Sequence, residues 1–204
     1  TSVMRTTIIP SMLEILSKNY NNRNAEAKLF ELGKEYFPTE ADKLPEEPLR
    51  LAIGMYGGNI DFYDIKGVAD ALLKTIRIYD CDYVRTSDSD AFDEASAFHP
   101  GRSAVILKDG KAIGILGEIH PDVAENYGIE VKVYAAKLNV PEMLKLSEKE
   151  VTYKPMPKFP ATTRDLSLIC DDNLPAASIE KAIKKAAGKV LEKVTLFDVY
   201  KGKQ

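Results

Sequence analysis

The spacing of apolar residues changes period several times along the chain, and each change marks an element. Leu13, Leu16 and Tyr20 recur at helical spacing behind Pro10, which suits a first helical turn, and the polar run Asn21-Asn22-Arg23-Asn24 ends the pattern. Ala27 to Phe37, centred on Leu29-Phe30-Glu31-Leu32, reads as a strand. A charged, proline-bearing stretch from Thr39 to Pro48 separates it from the apolar run Leu49 to Tyr56, a second strand closed by Gly57-Gly58. Asp64 is placed to cap a helix with Val68, Ala69, Leu72, Leu73 and Ile76 on one face and Lys66, Asp70 and Lys74 towards water.

Asp109-Gly110 between Ala104–Leu107 and Ala112–Leu116 predicts a two-residue type I′ hairpin. With Lys108 opposite Lys111, the register sets Arg102 against Gly117, Gly101 against Glu118 and His99 against His120. Both histidines of the chain then meet at the open end of one hairpin. Pro121 starts a short helix ending at Gly128, a strand follows from Val131 to Leu138, and Pro141 begins another short helix. Beyond residue 150 the pattern predicts a strand Asp165–Cys170, a turn Asp171–Pro175, a helix from about Ala177 to Val190 and a strand Val194–Tyr200. On that helix Ile179, Ile183, Ala186 and Val190 share one face, opposite Lys181, Lys184 and Lys185. The unit reads as half of a ferredoxin-like βαββαβ domain.

Composition adds a boundary. The 204 residues carry 28 basic and 31 acidic side chains, net -3, which excludes a uniformly basic nucleic-acid coat. Residues 1–150 hold 18 basic and 25 acidic groups, whereas residues 151–204 hold 10 and 6, so an acidic module precedes a basic one. Three prolines in six residues, Pro155, Pro157 and Pro160, make Lys154–Pro160 an extended tether between them. No apolar run approaches the ~18 residues that a bilayer crossing needs. Cys81 and Cys170 lie far apart without CxxC spacing, so neither a disulfide framework nor a zinc cage is expected, and a reducing cytoplasm is the expected compartment. Thr1 is not an initiator Met and Lys201-Gly202-Lys203-Gln204 follows a strand-like run without a terminating element, so the chain is expected to continue at both ends.

Catalytic motifs are absent. There is no Walker loop, no GxGxxG and no GxSxG elbow. His99, His120 and Glu118 could in principle hold zinc for a small hydrolase, but the helical HExxH spacing is missing, and histidines bonding backbone at strand ends is the simpler expectation. The basic module, with Lys154, Lys158, Arg164 and the helix lysines around Phe159, Phe197 and Tyr200, combines phosphate-binding charge with rings able to stack unpaired bases. A freestanding RNA-binding module is therefore a further reading. A core role for Phe197 and a solvated lysine face are the plainer alternatives.

Several strings, taken in order, carry a resemblance. They are Ser2-Val3-Met4-Arg5-Thr6-Thr7-Ile8-Ile9-Pro10, Leu29-Phe30-Glu31-Leu32-Gly33, Asp64-Ile65-Lys66-Gly67, Phe98-His99-Pro100-Gly101-Arg102-Ser103-Ala104 and Gly114-Ile115-Leu116-Gly117-Glu118-Ile119-His120-Pro121. With Lys158–Ser167 and Leu196–Gly202, they resemble the later part of the beta subunit of bacterial phenylalanyl-tRNA synthetases. The resemblance implies an α+β chain. Residues 1–150 would be a class II synthetase-like antiparallel sheet flanked by helices that has lost catalysis, and residues 151–204 a truncated ferredoxin-like βαβ unit opening an anticodon-binding domain. Class II catalysis needs arginines to grip the nucleotide. Near Glu31 the expected arginine-x-glutamate spacing is missing, with Lys28 three residues before it, and no arginine follows Gly114 or Gly117.

The resemblance further implies an alpha subunit partner in an alpha2beta2 heterotetramer, tRNA(Phe) as the nucleic acid, and ATP and magnesium used by the whole enzyme but bound elsewhere. No catalytic, cofactor or metal residue is then expected in this stretch. Lys158, Arg164 and Tyr200 are the residues expected to face nucleic acid.

Overall fold

The computed structural model describes residues 3–40, 43–148, 150, 153, 155, 156 and 158–200, and the chain divides into two compact units, Thr1–Tyr153 and Lys154–Gln204. The first unit is built on six antiparallel strands in the order β1-β2-β6-β5-β4-β3: β1 Ala27–Lys34, β2 Leu49–Tyr56, β3 Asp82–Arg85, β4 Phe98–Lys108, β5 Lys111–Ile119 and β6 Val133–Asn139. Four helices accompany them: α1 Ile9–Asn21, α2 Phe62–Thr75, α3 Pro121–Asn126 and α4 Val140–Leu146. β6, last in sequence, lies at the middle of the sheet between β2 and β5.

Apolar clusters form on both faces of the sheet. α1 sends Ile9, Met12, Leu13 and Leu16 against Ala52, Val105, Ile115, Val133 and Ala135, while α2 and α4 send Ile65, Ala69, Leu73 and Met143 against Ile53, Ile106, Leu116, Ala136 and Leu138. Each fully buried aliphatic side chain contributes roughly 1.5–3 kcal/mol by leaving water. β6 is covered on both sides, which explains why it reads as an almost unbroken apolar run.

Several expectations are met and several corrected. α1 begins with Pro10 in its first turn, as predicted. The cap of α2 is Asp61 rather than Asp64: its carboxylate accepts from the Tyr63 and Asp64 N–H groups while Asp64, one turn in, reaches back to the Asp61 N–H. Of the expected apolar face, Ala69 and Leu73 are buried and Leu72 and Ile76 pack part-buried against the same cluster, with Ile65 from the earlier turn added, whereas Val68 is exposed. Lys66 and Asp70 are half-buried and paired with each other, because the short β3, which the pattern does not announce, brings Tyr83 onto Asp70.

The hairpin turn is as expected: Asp109 and Gly110 both have positive φ, 51° and 77°, and Lys108 faces Lys111. Its register then slips twice. Ile113 is an extra residue on β5, so Ile106 meets Gly114, and the four residues His99–Arg102 stand out from β4 opposite the single residue Glu118. Gly117 has φ 152° and sits so close to Ser103 that a Cβ there would lie 2.5 Å from the Ser103 Cα, so only glycine fits.

In the second unit the turn closes through Leu174 N–H to the Asp171 carbonyl, and α5 runs Ala176–Ala187 before Gly188, at φ 57°, ends it. The expected strands Asp165–Cys170 and Val194–Tyr200 are not paired into a ladder among the described residues. In a split βαβ the two strands are not neighbours, since the place between them belongs to another strand, and a segment without that neighbour has no ladder to join. Ile179 and Ile183 are half-buried, but Ala186 is exposed and Val190 lies in the exposed single turn Gly188–Val190, outside the helix. Of the tether, Lys154 and Pro157 lie outside the described residues, as do the terminal residues 201–204.

Candidate functional site

On the α1 face, a charged cluster reaches from the apolar core, where Glu35 and Lys137 are buried, to the half-buried Arg50 and Glu94. Glu35, just past the end of β1, is fully buried. Its Oε1 accepts from the Ile8 N–H at 3.0 Å and lies 3.3 Å from Lys137 Nζ, while its Oε2 accepts from Arg50 Nε at 2.8 Å. Lys137, at the centre of the sheet on β6, is also paired with Glu94, and its ammonium lies 5.3 Å from the Phe92 ring centre. Arg50 Nη1 donates to Asn139 Oδ1, the same oxygen that caps α4. Two cations and two carboxylates thus neutralise one another, and the segment bearing Phe92 and Glu94 is pinned over the sheet. Buried charge demands partners of this kind, because an unpaired ion there costs several kcal/mol.

The other face carries a second paired arginine. Arg102, from the excursion of β4, donates from Nε and Nη2 to the two oxygens of Glu118 at 2.5 and 2.8 Å, and the Tyr134 hydroxyl donates to Glu118 at 3.2 Å. The hydrogen bond from Arg102 holds the Glu118 carboxyl below the usual carboxylate range, and Glu118 in turn raises the guanidinium. Burial, reinforced by Glu118, pushes the Tyr134 phenol up to about 12. A cavity of about 380 Å³ opens beside this group, lined by Asp61, Tyr63, Arg102, Lys132 and Tyr134 among others.

The excursion also positions the two histidines. The rings of His99 and His120 stack with centres 6.4 Å apart and planes 24° from parallel, although the register that joins them is not the one expected. His99 Nδ1 accepts from the Gly101 N–H at 3.0 Å and His120 Nδ1 from the Asp122 N–H at 3.3 Å, capping α3. An imidazole whose Nδ1 accepts a hydrogen bond carries its proton on Nε2, so neither ring nitrogen offers a free lone pair. Binding a metal there would break both backbone bonds, which argues against the zinc reading. A cavity of about 340 Å³ lies against His120, Phe98 and Pro100.

Lys158, Arg164 and Tyr200 are all exposed on the second unit, where Arg164 donates to its neighbour Thr163's carbonyl at 2.9 Å. Among the described residues no hydrogen bond or ion pair joins the three. Phe159 and Phe197 are exposed as well, so neither fills a core in this structure. Sequence reasoning missed Glu35, Arg50, Glu94 and Lys137 altogether. Lys137 gave a signal, a single ammonium inside the run Val133-Tyr134-Ala135-Ala136-Lys137-Leu138, but its partners come from distant segments.

Comparison with known proteins follows the same division. A family model described as the phenylalanyl tRNA synthetase beta chain CLM domain matches residues 1–140, and one described as the ferredoxin-fold anticodon binding domain matches residues 157–204. The phenylalanine–tRNA ligase beta subunit of Clostridium tetani is 46% identical over 204 residues, covering 100% of this chain and 25% of that protein. The beta subunit of Clostridium acetobutylicum is 44% identical with the same coverage, and that of Symbiobacterium thermophilum is 34% identical over 100% of this chain and 23% of its own length. The chain therefore spans about a quarter of the length of these relatives. Among solved structures, a pyrrolysyl-tRNA synthetase from Desulfitobacterium hafniense superposes with a TM-score of 0.53 at 13% identity, over 69% of this chain and 48% of that one. At that identity the likeness concerns the fold alone.

Proposed function

Because the chain belongs to the phenylalanyl-tRNA synthetase beta-chain family, we propose that it serves as a non-catalytic part of a phenylalanine–tRNA ligase, the enzyme that joins phenylalanine to its tRNA at the expense of ATP. Residues 1–150 form a class II synthetase-like module whose role is assembly with the catalytic alpha subunit, in an alpha2beta2 heterotetramer. Residues 151–204 open the anticodon-binding domain, with Lys158, Arg164 and Tyr200 towards tRNA(Phe). ATP and magnesium act elsewhere in the enzyme, and its work is cytoplasmic.

The observation that carries this reading is the fate of the charged groups on the sheet. A nucleotide-activating sheet must keep guanidinium groups available for phosphate. Here Arg50 is bound to Glu35 and Lys137 is neutralised between two carboxylates, while Arg102 spends Nε and Nη2 on Glu118 and keeps a single nitrogen, Nη1, outside that pair. The α1 face, moreover, is filled by α1 and by the segment bearing Phe92 and Glu94.

Two measurements test it. The chain incubated with ATP, phenylalanine and tRNA yields no aminoacyl-tRNA, and co-purification with the alpha subunit yields a stoichiometric complex. Aminoacylation by the chain alone would overturn the non-catalytic reading, and failure to associate with the alpha subunit would overturn the assembly role.

A further inference from the structure

We propose that the cavity bounded by Arg102, Lys132 and Tyr63 on the first unit is a contact site for single-stranded RNA, distinct from the basic second unit. The inference rests on the tRNA-ligase reading and adds to it a second place where RNA is held.

Internal pairing leaves the cavity with donors. Of the three carboxylates nearby, Glu118 is buried and spends both oxygens on Arg102 and Tyr134, Asp64 accepts from the Asp61 N–H at 2.7 Å, and Asp61 Oδ1 accepts from the Tyr63 and Asp64 N–H groups at the start of α2, whose terminus offsets part of the charge of both aspartates. Ser103 Oγ is taken up by the His99 carbonyl and Thr86. Arg102 uses Nε and Nη2 on Glu118, and among the described residues its Nη1 has no hydrogen-bond acceptor. Lys132 is exposed on the same cavity. The guanidinium is already fixed by a buried carboxylate, so a ligand that meets it spends no entropy orienting it.

Tyr63 supplies the second element. It stands 74% exposed at the start of α2, with its ring held edge-on against Phe62 at 5.6 Å, and no apolar contact of the core requires it there. A fixed guanidinium and an ammonium beside an open aromatic face fit a phosphodiester with an unstacked base. An acidic peptide would meet the cations but gain little from the ring. The net negative charge of residues 1–150 gives no long-range attraction, so the contact is short-ranged and draws on few counterions.

The test is fluorescence anisotropy of a labelled single-stranded oligoribonucleotide on the full chain, with variants that leave the core untouched. Tyr63→Ala weakens binding about tenfold, the scale of one lost base stack, and Lys132→Ala reduces the salt slope by about 0.7. Both effects persist when Lys158, Arg164 and Tyr200 are all changed to Ala. If that triple variant removes all binding while Tyr63→Ala and Lys132→Ala change nothing, this site is overturned and the tRNA-binding role of the second unit stands. If no variant matters, both fall. Displacement by polyglutamate as effective as displacement by unlabelled RNA of equal charge would also overturn it, in favour of an acidic peptide partner.

Discussion

Lys137 is the residue on which the first unit's packing turns. Its methylene stem crosses an apolar layer and its ammonium ends between Glu35 and Glu94. Lys137→Ala leaves the buried Glu35 and the half-buried Glu94 without their shared cation and lowers stability by about 3 kcal/mol in urea titration. A loss below about 1 kcal/mol would show the cluster to be hydrated rather than closed. Glu118 makes a pH-dependent contribution of known sign. Its folded-state pKa is depressed by Arg102, so the stabilisation is complete above the ordinary value of 4.5 and is lost as pH falls through the lower folded value. Urea midpoints measured from pH 6 downward therefore drop more steeply for the native chain than for Glu118→Gln, and identical slopes would contradict the pairing.

At the scale of elements, the two capping aspartates of α2 and the Asp109-Gly110 turn are the local devices most open to measurement. Asp61→Ala removes a capping box and costs about 1 kcal/mol. Gly110→Val forces a branched residue into positive φ, costs about 1–2 kcal/mol and should be read by thermal unfolding. Elements with clean periodicity or strong turn chemistry were legible in the sequence: α1, β1, β2, β6 and the hairpin. β3 was not, because four residues with charged ends offer too little alternation. The start of α2 was misplaced because both Asp61 and Asp64 are capping residues, and only the backbone reveals which one precedes the first turn. The hairpin register failed at Ile113, which is buried in the core, and at His99–Arg102, an exposed excursion held by the Gly101 N–H to His99 Nδ1, by Ser103 Oγ to the His99 carbonyl and by Arg102 on Glu118, a pairing that the alternation of residue types does not reveal. For the candidate sites, residue types were visible but pairings were not: Arg50 with Glu35 and Arg102 with Glu118 join segments that only the folded sheet brings together. Lys158, Arg164 and Tyr200 were legible as exposed, basic or aromatic residues and nothing more.

For the whole molecule, the division of the core decides what can be removed. The apolar clusters of the first unit draw on residues between Ile8 and Leu146, whereas no described residue of the second unit is buried. Deleting residues 154–204 therefore leaves the calorimetric transition of the first unit within about 2 °C of its original midpoint, less than the shift that 1 kcal/mol produces in a domain of this size. A large fall would show that the sheet depends on the second unit. The strand order β1-β2-β6-β5-β4-β3 has a consequence for synthesis on the ribosome. Two half-sheets, β1-β2 and β3-β4-β5, can each assemble from nearby sequence as they emerge, but neither can meet the other until Val133–Asn139 has left the exit tunnel and slid between them. Nascent chains stalled before that point would hold two sticky rims apart and need chaperone cover, and those stalled well beyond it would snap shut in one step.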